Sequence, residues 1–154
     1  MNWVIRSNKR MKIHTYLDLI VEPIKDQINN YNWIICDVEM NSNIINPPIN
    51  MDTDYYILSP TEFQELIHSH IQFYWGVMLA VPISIEISLD INNLPSSEFN
   101  DLIWKNGNIQ YPGAEIEIDC FDSGYTIVKF NNEELSNQFK YFFGKDAIPL
   151  QKFK

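Results

Sequence analysis

AEIEIDCFDSGYTIVKF, residues 114–130, brings strand periodicity, turn chemistry and charge together in one run. Ala114, Ile116, Ile118 and Cys120 alternate with Glu115, Glu117, Asp119 and Phe121, the period-2 pattern of a strand with one buried and one exposed face. Asp122, Ser123 and Gly124 supply the turn, with Gly124 expected to take the positive φ of a three-residue hairpin loop. The chain then returns as Tyr125 to Phe130. Same-face residues on a strand lie roughly 7 Å apart, so Glu115, Glu117 and Asp119 are expected as a carboxylate row above an apolar floor.

Upstream of the hairpin, Pro95 and two serines open a short predicted helix with Phe99, Leu102 and Ile103 inward and Asn106-Gly107 as its exit. Ile83, Ile85, Ile87 and Leu89 alternate with Ser84, Glu86, Ser88 and Asp90, which predicts another half-exposed strand. FYWGVMLAV, residues 73–81, is apolar throughout and predicts a central strand covered on both faces, with Gly76 at a bulge or close approach. Ser59, Pro60 and Glu62 give an N-cap, a first-turn proline and the third residue of a capping box, so a helix follows with Phe63, Leu66 and Ile67 inward.

Trp33–Met40 reads as a strand with Ile34, Cys36, Val38 and Met40 on one face and Trp33, Ile35, Asp37 and Glu39 on the other. Asn41–Asp54 is the longest expected loop, and Tyr55–Leu58 a short strand. Leu17, Ile20, Val21, Ile24 and Ile28 recur at helical spacing after a possible Thr15 cap, and Pro23 splits that helix near Glu22. Trp3–Ile5 is a short first strand. After the hairpin, Asn131 or Asn132 caps a last helix with Leu135, Phe139 and Phe142 inward, ended by Gly144. The whole is a single α+β domain over residues 1–154, with frayed ends expected at 1–12 and 145–154. Its sheet is mostly antiparallel, of about five or six strands, with helices packed mainly on one face.

The net charge of −9 is unevenly spread. Residues 13–128 hold 17 acids against Lys25 and Lys105, and no Lys or Arg occurs from Asp26 to Trp104. Such a field either keeps a solvated surface soluble or steers a basic partner. It argues against direct nucleic-acid binding, which needs Lys and Arg against phosphate. No run approaches a membrane span, and no apolar signal segment follows the basic N-terminus, so a cytoplasmic protein is expected. Cys36 and Cys120 are the two cysteines, read either as buried thiols or as a disulfide between two strands of one sheet.

G-x-S-x-G, P-loop and G-x-G-x-x-G motifs are all missing from the sequence, and five glycines leave little backbone for a phosphate cradle. His68 and His70, at i and i+2 on a helix end, would not share a metal. No cofactor and no metal are therefore expected. Glu115, Glu117 and Asp119 fit three readings: a solvated sheet face, a protein-binding face, or acid–base or cation chemistry.

YYILSPTEFQELIHSHIQFYWGVMLAVP, residues 55–82, and EIEIDCFDSGYTIVKFNNEELSNQF, residues 115–139, resemble in pattern the small acidic α+β immunity proteins of bacterial polymorphic-toxin and contact-dependent inhibition systems. The resemblance implies a non-catalytic domain that neutralises a cognate basic toxin by covering its active site or another surface. Asp37, Glu39, Asp52, Asp54, Glu115, Glu117 and Asp119 are the expected acidic contact surface, with Tyr55, Tyr56 and Trp104 as aromatic anchors. Two other classes stay open: a small enzyme with a carboxylate and His68 cleft, and an acidic mimic of nucleic acid that binds basic proteins promiscuously.

Overall fold

The computed structural model describes residues 1–9, 16–41 and 46–153. His14 and the Thr15 cap lie outside the described residues. The strands are β1 (Asn2–Arg6), β2 (Tyr31–Asn41), β3 (Tyr55–Leu58), β4 (Gln72–Pro82), β5 (Ile116–Phe121), β6 (Tyr125–Phe130) and β7 (Ile148–Pro149). The helices are α1 (Leu17–Val21), α2 (Pro60–Ile67) and α3 (Glu133–Phe143). Among the described residues the strands form one antiparallel sheet of seven in the order β3-β2-β4-β5-β6-β1-β7, more than the five or six expected. The additional strand is β7, two residues of a C-terminal tail expected to fray. Leu150 beside it is buried, which is why the tail holds.

One face of the sheet is apolar and covered by helices. Trp33, Ile35, Met78, Ala80, Ile116, Ile118, Cys120 and Val128 meet Leu17, Ile20, Phe63, Leu66, Leu135 and Phe139 in one cluster. Trp33 stacks on Phe63 with ring centroids 3.8 Å apart and planes 8° from parallel. As the proline predicts, α1 stops at Val21 and the chain continues from Glu22 to Asn30 as a 3-10 helix. The Ser59–Glu62 capping box forms in full, and the Asn132 side chain accepts from the Leu135 amide to start α3.

Among the described residues the other face has no helix of this kind. It is covered by residues 83–115, an irregular strap that returns across the sheet before β5, and at the β1 end by Leu150 and Phe153 of the C-terminal tail. The Ile83–Asp90 strand does not form. β4 already has β2 and β5 on its two edges, so no edge remains for the chain leaving Pro82. Ile87 and Leu89 instead pack on Ile34, Val77 and Leu79, while Ile83 and Ile85 stay exposed. The helix expected from Pro95 is reduced to a 3-10 turn at Asp101–Trp104, capped by Asn100. The strap, not Asn41–Asp54, is thus the long irregular connection.

In the 121–125 turn the positive φ values belong to Asp122 (46°) and Ser123 (55°), with the Gly124 amide donating to Phe121. This is the φ signature of a type I′ turn, and Gly124 only closes it. Cys36 faces the strap and Cys120 faces the helices, both free and buried, so the sheet itself separates them and no disulfide joins them. Burial pushes the Cys36 thiol up to about 12, beyond reach of neutral-pH chemistry.

Candidate protein-binding face

The carboxylate row does not reach solvent. β5 and β6 place Glu117 opposite Lys129, and Asp119 opposite Ile127, on the strap side of the sheet. Glu117, Asp119 and Lys129 are all 0 % exposed. The Lys129 ammonium lies 2.9 Å from Glu117 Oε1 and 3.6 Å from Asp119 Oδ2. The Gln110 amide donates to Glu117 Oε2 at 2.6 Å, and the Gln110 side chain reaches both carboxyls. Asp119 Oδ2 has no hydrogen-bond partner among the described residues. Burial, then the charge of Glu117, push Asp119 well above the usual carboxylate range, and Lys129 only partly opposes them. The natural balance is one ammonium against one carboxylate, with Asp119 holding its proton.

Glu115 leaves the row because the alternation breaks where β5 begins. Its Oε2 instead accepts a 2.7 Å hydrogen bond from the Tyr31 hydroxyl. The expectation that Glu115, Glu117 and Asp119 form an acidic contact surface is therefore corrected. Two of them anchor the strap, and the third ties β5 to β2.

β2 contributes a second anchor. Its register to β4 slips between Cys36 and Glu39, and Asp37 takes φ 54° there. Such a bulge turns the following side chains over. Val38 and Met40 consequently pack toward the helices, not with Ile34 and Cys36 as strict alternation predicts. Asp37 is left facing the strap. Its Oδ2 accepts from the Ser97 amide at 2.7 Å, the Glu98 amide at 2.9 Å and the Ser97 hydroxyl at 3.3 Å. The Gly76 amide donates to the same Ser97 hydroxyl.

Held by these two anchors, the strap projects Phe99. That side chain is 98 % exposed and its backbone sits at φ 56°, a conformation an aromatic residue adopts only under constraint. Helical spacing with Leu102 and Ile103 predicts Phe99 inward, and the structure turns it out. The neighbouring Asn100 cap explains the reversal, because the 3-10 turn it starts begins at Asp101, two residues after Phe99, and leaves the ring outside it. On one side of Phe99 a cleft of about 340 Å³ is walled by Trp75, Trp104 and Phe121 and rimmed by Glu98 and Asp101. A second cleft, of about 330 Å³, is lined by Asp37, Met51, Asp54, Pro95 and Ser96. Glu39 pairs with Trp75 in the ladder and is exposed. Asp37, Glu39, Asp54 and Trp104 are thus gathered around the strap.

Comparison with protein-family models, curated proteins and solved structures finds no match. The remaining expected residues are dispersed. Asp52 is exposed in the loop before β3. Tyr55 is exposed opposite Cys36, at the sheet edge. Tyr56 packs toward the helix-side core, and its hydroxyl bonds Asn50. His68 caps the C-terminus of α2, on the helix side, away from the strap. Among the described residues no three His, Cys, Asp or Glu side chains are placed to hold a metal ion, and no helix is long and apolar enough to cross a membrane.

Proposed function

We propose that this chain is a non-catalytic binding protein of the immunity type, which neutralises a basic toxin domain by pressing the strap face against it. One observation carries the proposal. A fully exposed Phe99 is held at a left-handed φ in the middle of an acidic, doubly anchored loop. A solubilising surface has no use for such a residue, whereas interfaces concentrate their energy in aromatic anchors ringed by polar groups. Glu39, Asp54, Glu98 and Asp101 supply the ring and the sign of the charge. The carboxyls best suited to acid–base chemistry, Glu117 and Asp119, are sealed beneath the strap, which favours binding over catalysis.

The test is capture of partners from the native host on the tagged protein, eluted in salt steps, with Phe99→Ala run in parallel. Support is one stoichiometric basic protein, lost from the Phe99→Ala column, whose toxicity on expression is relieved by co-expressing the wild-type chain. Many basic proteins retained equally by both columns would favour the nucleic-acid mimic. No partner at low salt would reduce the acidic field to a solubility device.

A further inference from the structure

The cleft beside Phe99 has a composition that selects one kind of guest. Trp75 meets Phe121 edge-on at 4.7 Å, and Trp104 meets Phe121 edge-on at 5.0 Å. Trp104 is braced from elsewhere by Phe153, stacked at 5.6 Å and 6°. These walls are packed into place without a guest. Glu98 is half-buried at the rim with its backbone amide fixed by Asp37, and Asp101 is exposed beside it. Neither carboxylate has an ion-pair partner among the described residues, and the nearest cation in sequence, Lys105, does not line the cleft. A cation entering the cleft meets aromatic ring faces and two carboxylates that have no counter-ion of their own among the described residues, so charge and shape favour the same guest.

We propose that this cleft receives a single arginine side chain of the basic partner. The inference rests on the binding reading above and names the group that the partner inserts. Guanidinium fits better than ammonium. It is planar, stacks on indole and phenyl rings, sheds water more readily, and offers a fork of donors to paired carboxylates. Phe99, at the edge of the same cleft and 98 % exposed, then packs on the partner's surface around the inserted residue.

N-acetyl-arginine amide, titrated into the intact protein and followed by the indole N–H resonances, tests this without the partner. N-acetyl-citrulline amide is the uncharged isostere. The four tryptophans include their own controls, since Trp33 is buried in the helix-side core and Trp3 is bonded to Ser136. The Trp75 and Trp104 resonances should shift saturably with arginine while Trp3 and Trp33 stay still. Arginine should bind about fivefold more tightly than citrulline, the scale of a cation–π contact with a partly screened charge pair. The isosteric double variant Glu98→Gln/Asp101→Asn should lose that preference with Trp3 and Trp33 unmoved, whereas Glu133→Gln/Glu134→Gln on α3 should keep it. Equal binding of the two amides, shifts spread over all four indoles, or a preference unchanged in the Glu98/Asp101 variant would overturn the proposal. Failure here with a partner captured through Phe99 removes only the arginine; success here with no basic partner removes only the toxin reading.

Discussion

On the helix side of the sheet, β5 and β6 present Ile116, Ile118, Val128 and Phe130 to apolar helix faces. On the strap side the same two strands present Glu117, Asp119 and Lys129, buried just as completely. The difference lies in the cover. A helix satisfies its own backbone hydrogen bonds and asks only for apolar contact. An irregular segment laid over a sheet brings amides that must find acceptors there. The amides of Ser97 and Glu98 find Asp37, that of Gln110 finds Glu117, and that of Ser96 finds the Gln110 side chain. Buried carboxylates are what an irregular lid requires, and Lys129 is what the carboxylates require. The result is a rigid loop able to hold an unfavourable, exposed Phe99.

The largest expected effect is the loss of Lys129. Lys129→Met leaves the buried Glu117 carboxylate without its counter-ion and should cost about 3–5 kcal/mol in urea unfolding, as for other broken buried pairs. Phe139→Ala on the helix side should cost a similar ~3–5 kcal/mol through its cavity. The two losses differ in their pH dependence. That of Lys129→Met, electrostatic in origin, should change with pH, while that of Phe139→Ala should not move.

Asp37→Ala comes next. Removing an acceptor shared by two amides and a hydroxyl should cost about 1.5–3 kcal/mol, with faster hydrogen exchange at Ser97, Glu98 and Gly76 and none of that change in α2 or α3. The proton on Asp119 gives a smaller, signed effect. Its folded pKa is raised, so the folded state binds more protons than the unfolded one between the ordinary aspartate value of about 4 and the raised value. Stability contributed by Asp119 must therefore fall as pH rises through that window. Asp119→Asn should flatten this part of the curve, read from unfolding midpoints across pH. The smallest effect has the opposite sign. Phe99→Gly relieves the left-handed backbone and should stabilise the fold by about 0.5–1 kcal/mol while weakening partner capture, a separation expected of a residue kept for function.

The elements with one buried face were legible in the sequence. The Ser59 capping box and the Pro23 break each depend on neighbours in the chain, and each stands as read. What the sequence concealed depends on the second face. Alternation places Glu117 and Asp119 on one side but does not show whether a distant segment covers it, so a buried charged cluster reads as a solvated row, and nothing local shows that Glu115 turns to the other face. Ile83–Asp90 has the period of a strand, and only the filled edges of β4 deny it a partner. Asp37 carries no local sign of a bulge. For the candidate site, Asp37, Glu39, Asp54 and Trp104 were named from charge and aromaticity, while Phe99 was turned inward by a helical spacing with Leu102 and Ile103. The visible counter-signal was Asn100-Asp101, a helix start placed directly after it.

The central claim is that function lies on the strap face and not on the hairpin row or the helix layer. Hydrogen exchange of the protein with and without its captured basic partner tests it most directly. New protection should concentrate in residues 94–104 and around Trp75, with α2 and α3 unchanged. Protection confined to α2 and α3, with the strap exchanging as in the free protein, would contradict it.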